Sequence, residues 1–261
     1  MRAIRLGRPL LRYATLPSTS TTVGEFGHQG WPEGLAVLAD EQSSGRGRLG
    51  RSWHSPGGAG VWMSVLLRPA FPPEQAPRLA ITAGLSVARA IRRTAGLACD
   101  LKWPNDVLLN GRKLAGILAE VARAGDRSFF VVLGVGINVS VADDQWPPSL
   151  RAAATSLTAA GCPADRIALA EAVLEELDGD YSRLLAGEWE SVRREWQAAS
   201  SMLGEAVTVS AGCSIIRGRA RQLGSLGELV LELEDGSMRE VVAGEVTVIP
   251  AGRGPAAQGR F

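Results

Sequence analysis

The spacing of apolar positions changes more than once along the chain, and each change marks a different kind of element. From Arg78 to Ala95, Leu79, Thr82, Ala83, Leu85, Ser86 and Ala90 recur loosely every three to four residues. Gly96 follows, so the pattern predicts a core-packed helix with a glycine stop. Ile167, Ala170, Leu174, Leu177, Tyr181, Leu184 and Leu185 predict a second helix running through Glu188, with Cys162-Pro163 and Asp165 as its start signal. Before and between them, VWMSVLLR (61–68), DVLLNGRKLAGILAEV (106–121) and FFVVLGVGINV (129–139) are rich in β-branched and apolar residues and read as strands. After about Ser200 the helical spacing stops, and AVTVS, SIIRGRARQL, LVLEL, MREVVA and VTVI follow between glycine-containing turns such as Asp235-Gly236. The expected fold class is α+β. A mixed sheet flanked by helices would occupy residues 1–200, a C-terminal β-barrel 201–250 and a flexible tail 251–261.

Asn110-Gly111, flanked by apolar runs, predicts a tight hairpin, because a type I′ turn needs positive φ at both central residues. With Leu109 facing Arg112, Leu108 faces Lys113 and Asp106 faces Ala115. Asp106 and Lys113 then share a face as diagonal neighbours roughly 7 to 8 Å apart, a gap that a lysine side chain spans.

Composition narrows the function classes. With 28 Lys+Arg against 27 Asp+Glu the formal charge is +1, so no general field holds DNA or an anionic bilayer and any anion binding must come from a local cluster. An apolar fraction of 46% and 21% charged residues support a packed core. Cys99, Cys162 and Cys213 are odd in number, far apart and without a CxxC, which argues against a disulfide framework or zinc site. The longest nearly uncharged apolar stretch, Phe129 to Ala142, is far below the roughly 20 residues that span a bilayer. The N-terminus lacks an h-region, and a cytoplasmic protein is expected.

One such cluster is Gly45-Arg46-Gly47-Arg48-Leu49-Gly50-Arg51-Ser52-Trp53. Glycines let a backbone approach a ligand closely, and guanidinium forks match carboxylate and phosphate oxygens. The segment reads as an anion-binding loop, mobile when empty, against the blander reading of a solvated basic linker. Lys102-Trp103-Pro104-Asn105-Asp106 leads into the hairpin, where Asn105 and Asp106 could meet a nucleoside edge or a magnesium ion. Lys113, on an apolar strand, either reaches solvent or meets a ligand charge. The two glycines of Gly134-Val135-Gly136-Ile137-Asn138 let a backbone approach a ligand or a neighbouring strand, but the segment is neither a dinucleotide fingerprint nor a Walker loop, and a β-bulge is its simplest reading. The hydroxyl run Ser18-Thr19-Ser20-Thr21-Thr22 suits a helix N-cap, a ligand contact, or both. Neither His28 nor His54 has metal-ligand spacing; Trp62, Trp189 and Trp196 are expected to pack, and Trp53 and Trp103 to pack or wall a pocket.

Together, GRGRLGRSW, KWPNDVLLNGRKLAGIL, GVGINV and the β-rich tail with AGEV closely resemble the biotin protein ligases, biotin–[acetyl-CoA-carboxylase] ligases in particular, from Ser18 to Val246. The resemblance implies a biotin/lipoate ligase-like catalytic domain with an SH3-like C-terminal module. It implies ATP and biotin as substrates, Mg2+, biotinyl-5′-AMP as intermediate and a lysine of a biotin carboxyl carrier domain as acceptor. Lys113, Arg48 and Arg51 are then catalytic. Ser18, Thr19, Ser20, Gln42, Gly45, Arg46, Gly47, Arg48, Lys113 and Gly116 fall on the biotin side. Arg48, Arg51, Trp53, Asn105, Lys113 and Asn138 fall on the nucleotide side, and Asp106 contacts magnesium.

The chain departs from the family at Ser20, where an Asn is common, and at Leu49, where a basic residue is common. No helix-turn-helix is expected before the first strand, which implies the monofunctional class without DNA as a partner; no membrane partner is expected, and exposed sheet edges leave homodimerisation open. Two readings compete with a biotin ligase: a lipoate-type ligase, and a non-catalytic nucleic-acid-binding module built on the basic loop and the barrel.

Overall fold

The computed structural model describes residues 5–123, 129–212 and 214–249; Cys213 and the expected tail over 251–261 lie outside them. Strands β1 (Leu10–Leu16), β2 (Ala36–Gln42), β3 (Gly60–Leu67), β4 (Asp100–Lys102), β5 (Asp106–Leu109), β6 (Arg112–Arg123) and β7 (Phe129–Asn138) form one sheet. Its order is β1-β2-β3-β7-β6-β5-β4, with β1 and β2 parallel across helix α1 (Thr19–His28) and every other pair antiparallel. The central strands alternate sharply. Val131, Leu133, Val135 and Ile137 of β7 join Val61, Met63, Val65 and Leu67 of β3 in the main core, beneath α2 (Pro77–Ala95), α3 (Arg166–Leu185) and α4 (Trp189–Ala198). On the opposite face Phe130 and Val132 pack with Leu66 and Val23 of α1. That helix covers only part of its face, and the part left open by Gly134, Gly136 and Asn138 holds the cavity described below.

Both predicted helices form as α2 and α3. Gly96 ends α2 in the left-handed conformation at φ 69°, its N–H donating to the Arg92 carbonyl. Asp165 caps α3 by accepting from the N–H groups of Ile167 and Ala168. The sequence pattern ran the second helix through Glu188; the chain instead ends α3 at Leu185, turns at Gly187, and begins α4, whose Trp189, Val192 and Trp196 are buried.

The hairpin turn has the expected positive φ at Asn110 (51°) and Gly111 (76°), but its register differs. Leu109 faces Arg112 and Leu108 faces Lys113, after which the ladder shifts so that Asp106 faces Gly116 rather than Ala115. The cause lies outside the hairpin: the Lys113 N–H donates to the Ala153 carbonyl and its carbonyl accepts from Thr155, which bulges β6 at Leu114.

Strands β8 (Ala206–Ala211), β9 (Ser214–Leu223), β10 (Leu229–Glu232), β11 (Met238–Val241) and β12 (Glu245–Val248) form a second, antiparallel sheet ordered β11-β10-β9-β8-β12. Its outer strands do not pair with each other, so the expected barrel is an open sheet; β11 is short and exposes Met238, Arg239 and Glu240 along its edge. The sheet is bolted to the first unit by the buried indole of Trp103, whose Nε1–H donates to the Gly227 carbonyl at 2.9 Å. Arg193 Nη1 adds a bond to the Leu223 carbonyl. Among the described residues no helix is long and apolar enough to cross a membrane.

Candidate active site

One cavity of about 390 Å³ opens on the α1 face of the large sheet, within the range of small-molecule sites. Arg46, Arg48, Arg51 and Lys113 all line it, so the glycine-rich loop and the hairpin lysine meet on one side of the sheet. The expected bulge at Gly134-Val135-Gly136 is absent, since β7 pairs continuously with β3 and β6. Those glycines instead make room. A Cβ at Gly136 would lie 2.5 Å from Trp53 Cε2, one at Gly116 2.9 Å from Trp53 Cζ3, and one at Gly134 2.9 Å from Ser20 Oγ.

Lys113 Nζ lies 2.6 Å from Asp106 Oδ1, as the shared face predicts, and 5.2 Å from the Trp53 ring centroid. The ammonium is thus held over the floor of the cavity by a carboxylate on one strand and an aromatic face from the loop.

The arginine loop is a closed hairpin. Gly47 N–H donates to the Arg51 carbonyl, Arg51 N–H to the Arg48 carbonyl and Trp53 N–H to the Gly45 carbonyl, with Leu49 at the tip in the left-handed region (φ 57°). Arg48 Nη1 donates to Asn105 Oδ1 at 3.1 Å and to the Gly244 carbonyl at 3.3 Å; burial pulls its pKa below the ordinary guanidinium value. Asn105 completes its amide by donating to the Ile117 carbonyl, so it acts here by fixing Arg48. Arg51 Nη2 donates to Glu245 Oε2 at 2.6 Å, and that bond raises the arginine pKa and lowers that of Glu245. Arg46 Nη2 donates to Glu120 Oε1 at 2.5 Å. Two loop arginines are therefore latched to the β12 entry and one to β6.

At the other end of the cavity a polar chain crosses three elements. Gln42 Oε1 accepts from Thr19 N–H at 2.8 Å and Thr19 Oγ1 at 3.1 Å, Thr19 Oγ1 lies 2.8 Å from Ser64 Oγ, and Ser64 Oγ lies 3.0 Å from Ser20 Oγ. Asn138 is buried, donates to the Thr155 carbonyl at 3.0 Å, and keeps Oδ1 unpartnered; the indole N–H groups of Trp53 and Trp146 and His54 Nε2 are likewise buried without partners.

Thr19, Ser20, Gln42, Arg46, Gly47, Arg48, Arg51, Trp53, Asn105, Asp106, Lys113, Gly116 and Asn138 all line this cavity. Ser18 and Gly45 do not. Ser18 stands at the N-cap of α1 without a capping bond, its Oγ buried and unpartnered, and Gly45 supports the loop, where a Cβ would strike Ser55 Oγ at 2.7 Å. Ser64, His54 and Trp146 line the cavity unannounced by any motif, Ser64 being one hydroxyl in an apolar strand; Glu245, within AGEV but given no site role, arrives from the second sheet.

Residues 13–138 match the model of the biotin/lipoate A/B protein ligase family. The chain is 36% identical over 232 residues to the bifunctional ligase/repressor BirA of Bacillus subtilis, covering 88% of this chain and 71% of that protein. It is 36% identical over 230 residues to the biotin–[acetyl-CoA-carboxylase] ligase of Mycobacterium tuberculosis, covering 84% and 78%. Among solved structures, the biotin protein ligase of Aquifex aeolicus in complex with biotin and ATP superposes with a TM-score of 0.79 at 28% identity, over 92% of this chain and 98% of that one. The family match, the identity over most of the chain and the superposition together leave one assignment: the chain belongs to the biotin protein ligases of the biotin/lipoate A/B protein ligase family.

Proposed function

We propose that this chain is a biotin–[acetyl-CoA-carboxylase] ligase, acting in the cytoplasm, that forms biotinyl-5′-AMP from biotin and ATP and transfers biotin to a lysine of a carboxylase biotin carrier domain. The observation that carries the reading is the convergence of Arg46, Arg48, Arg51 and Lys113 on one cavity whose far end is a hydroxyl–amide chain. A carboxylate and an α-phosphate repel, and bringing them into line needs fixed cations rather than a base. Lys113, on the floor between Asp106 and Trp53, is suited to touch both oxyanions. Arg48, oriented by Asn105 and Gly244, and Arg51, beside Glu245, suit the phosphates.

In the first step a biotin carboxylate oxygen attacks the α-phosphorus, the bond to the bridging oxygen breaks, and pyrophosphate leaves. In the second the neutral carrier amine attacks the acyl carbon, the acyl carbon–oxygen bond to the phosphate breaks, AMP leaves and the nitrogen gives up a proton to solvent. A magnesium ion, when bound, would supply positive charge to the phosphates. Asp106 is already paired with Lys113, and no group of three His, Cys, Asp or Glu side chains among the described residues forms a metal cage. In that donor set Asp106 is the residue that would hold such an ion, its other oxygen remaining beside the Lys113 pairing. Residues 1–200 supply the chemistry in this reading, and 201–250 contribute the wall at Gly244 and Glu245; a homodimer through a sheet edge belongs to the same proposal.

Incubation with ATP and either biotin or lipoate, followed by pyrophosphate release, tests the reading. Faster release with biotin is expected. Faster release with lipoate points to a lipoate-type ligase, and no release with either acid, together with salt-sensitive oligonucleotide binding, to a nucleic-acid-binding module.

A further inference from the structure

The chain Gln42–Thr19–Ser64–Ser20 has a direction that can be worked out proton by proton. Ser55 Oγ donates to the Trp53 carbonyl at 3.2 Å, so toward Gln42 Nε2, 2.9 Å away, it accepts. The Gln42 amide is therefore fixed with Oε1 toward Thr19, as the Thr19 N–H also requires. Thr19 Oγ1 lies 3.1 Å from that oxygen and uses its single proton there. Toward Ser64 it can then only accept, so Ser64 spends its proton on Thr19, and Ser20 spends its own on Ser64. The reverse order would set Thr19 Oγ1 and Gln42 Oε1 lone pair against lone pair.

Thr19, Ser20 and Ser64 are all buried and all line the cavity, and with these protons committed none of the three hydroxyls has one left to give. We infer that Ser64 is a positioning residue that polarises this chain, so that Ser20, standing where the family commonly has Asn, presents an acceptor that selects a ligand N–H donor. The inference rests on the biotin reading, in which that donor is a ring N–H of the biotin ureido group.

Its test is the affinity of the whole protein for biotin and for the two isomeric cyclic carbamates in which one ureido N–H is replaced by oxygen, measured by calorimetry. Oxygen adds no bulk and turns a donor into an acceptor. The protein should reject the less favoured carbamate by at least about tenfold relative to biotin. In Ser64→Ala, Ser20 is free to turn its proton into the cavity, and the rejection should fall to about threefold or less. A merely structural role would weaken both ligands equally. Ser20→Ala, which leaves Ser64 in place, should also lose the discrimination. An unchanged ratio in a folded Ser64→Ala protein, or in Ser20→Ala, would overturn the inference while leaving biotin binding and the proposed function intact; failure of biotin to bind the unaltered protein would overturn both.

Discussion

Gly136→Ala pits backbone preference against the architecture of the site. In the interior of a strand, alanine is ordinarily favoured over glycine by roughly 0.5–1 kcal/mol. Here the new methyl would stand 2.5 Å from Trp53 Cε2, 2.6 Å from Nε1 and 2.9 Å from Cζ2, against ordinary carbon contacts of about 3.5 Å, so the indole must give by about 1 Å. The strand cannot move instead, because it is paired on both sides by β3 and β6. The loop resists as well, since Trp53 N–H is bonded to the Gly45 carbonyl at 2.8 Å. The ring therefore swings into the cavity and leaves Lys113, whose Nζ it faces at 5.2 Å. Overpacking of this kind costs about 1–3 kcal/mol. A misplacement of about 1 Å at a reacting centre costs about 10² in rate. The assay is kcat/KM for ATP by coupled pyrophosphate release, with Tm measured alongside. In a Trp53→Ala background the same substitution should change kcat/KM by less than about twofold. Unimpaired turnover in Gly136→Ala, or an equal loss with the tryptophan absent, would refute the reasoning.

Three further outcomes are expected. Arg48→Ala and Arg51→Ala should each lower kcat/KM for ATP by about 10² or more, as loss of one transition-state donor does, read by the same release assay. Trp103→Phe leaves the Gly227 carbonyl without its 2.9 Å donor and should cost about 1–3 kcal/mol in urea unfolding. Burial pushes the Cys99 thiol from 9.0 up to about 12, so between those values the unfolded chain binds fewer protons and stability falls as pH rises; Cys99→Ala should flatten that fall in urea midpoints taken at pH 8 and pH 10.5.

The elements that rest on local chemistry were legible in the sequence: the Asn110-Gly111 turn, the Gly96 stop and the Asp165 cap each depend on residues within a few positions. What escaped depends on partners far along the chain. The β6 bulge is set by Ala153 and Thr155, about forty positions on, and no hairpin rule contains them. The open C-terminal sheet depends on two edge strands that never meet. Helix α4 carried a signal that went unused, the spacing of Trp189, Val192 and Trp196, because the tryptophans read simply as packing residues. In the site, the arginines, Lys113 and Asp106 were visible as costly charges amid glycines and apolar runs. The alternation that sends Gly134, Gly136 and Asn138 to the cavity and Val135 and Ile137 to the core was also there to read, although each glycine taken singly suggested a bulge. Ser64 was not legible, since its meaning comes from Thr19 and Ser20 across the sheet.

The most direct measurement is single-turnover pyrophosphate release from biotin and ATP by Lys113→Ala, with Tm as the check on folding. On the proposed reading the ammonium bridges the two oxyanions, so release should fall by about 10³ in a protein that still melts cooperatively. Release near the unaltered rate would contradict the claim that the hairpin lysine and the arginine loop act on one pair of charges.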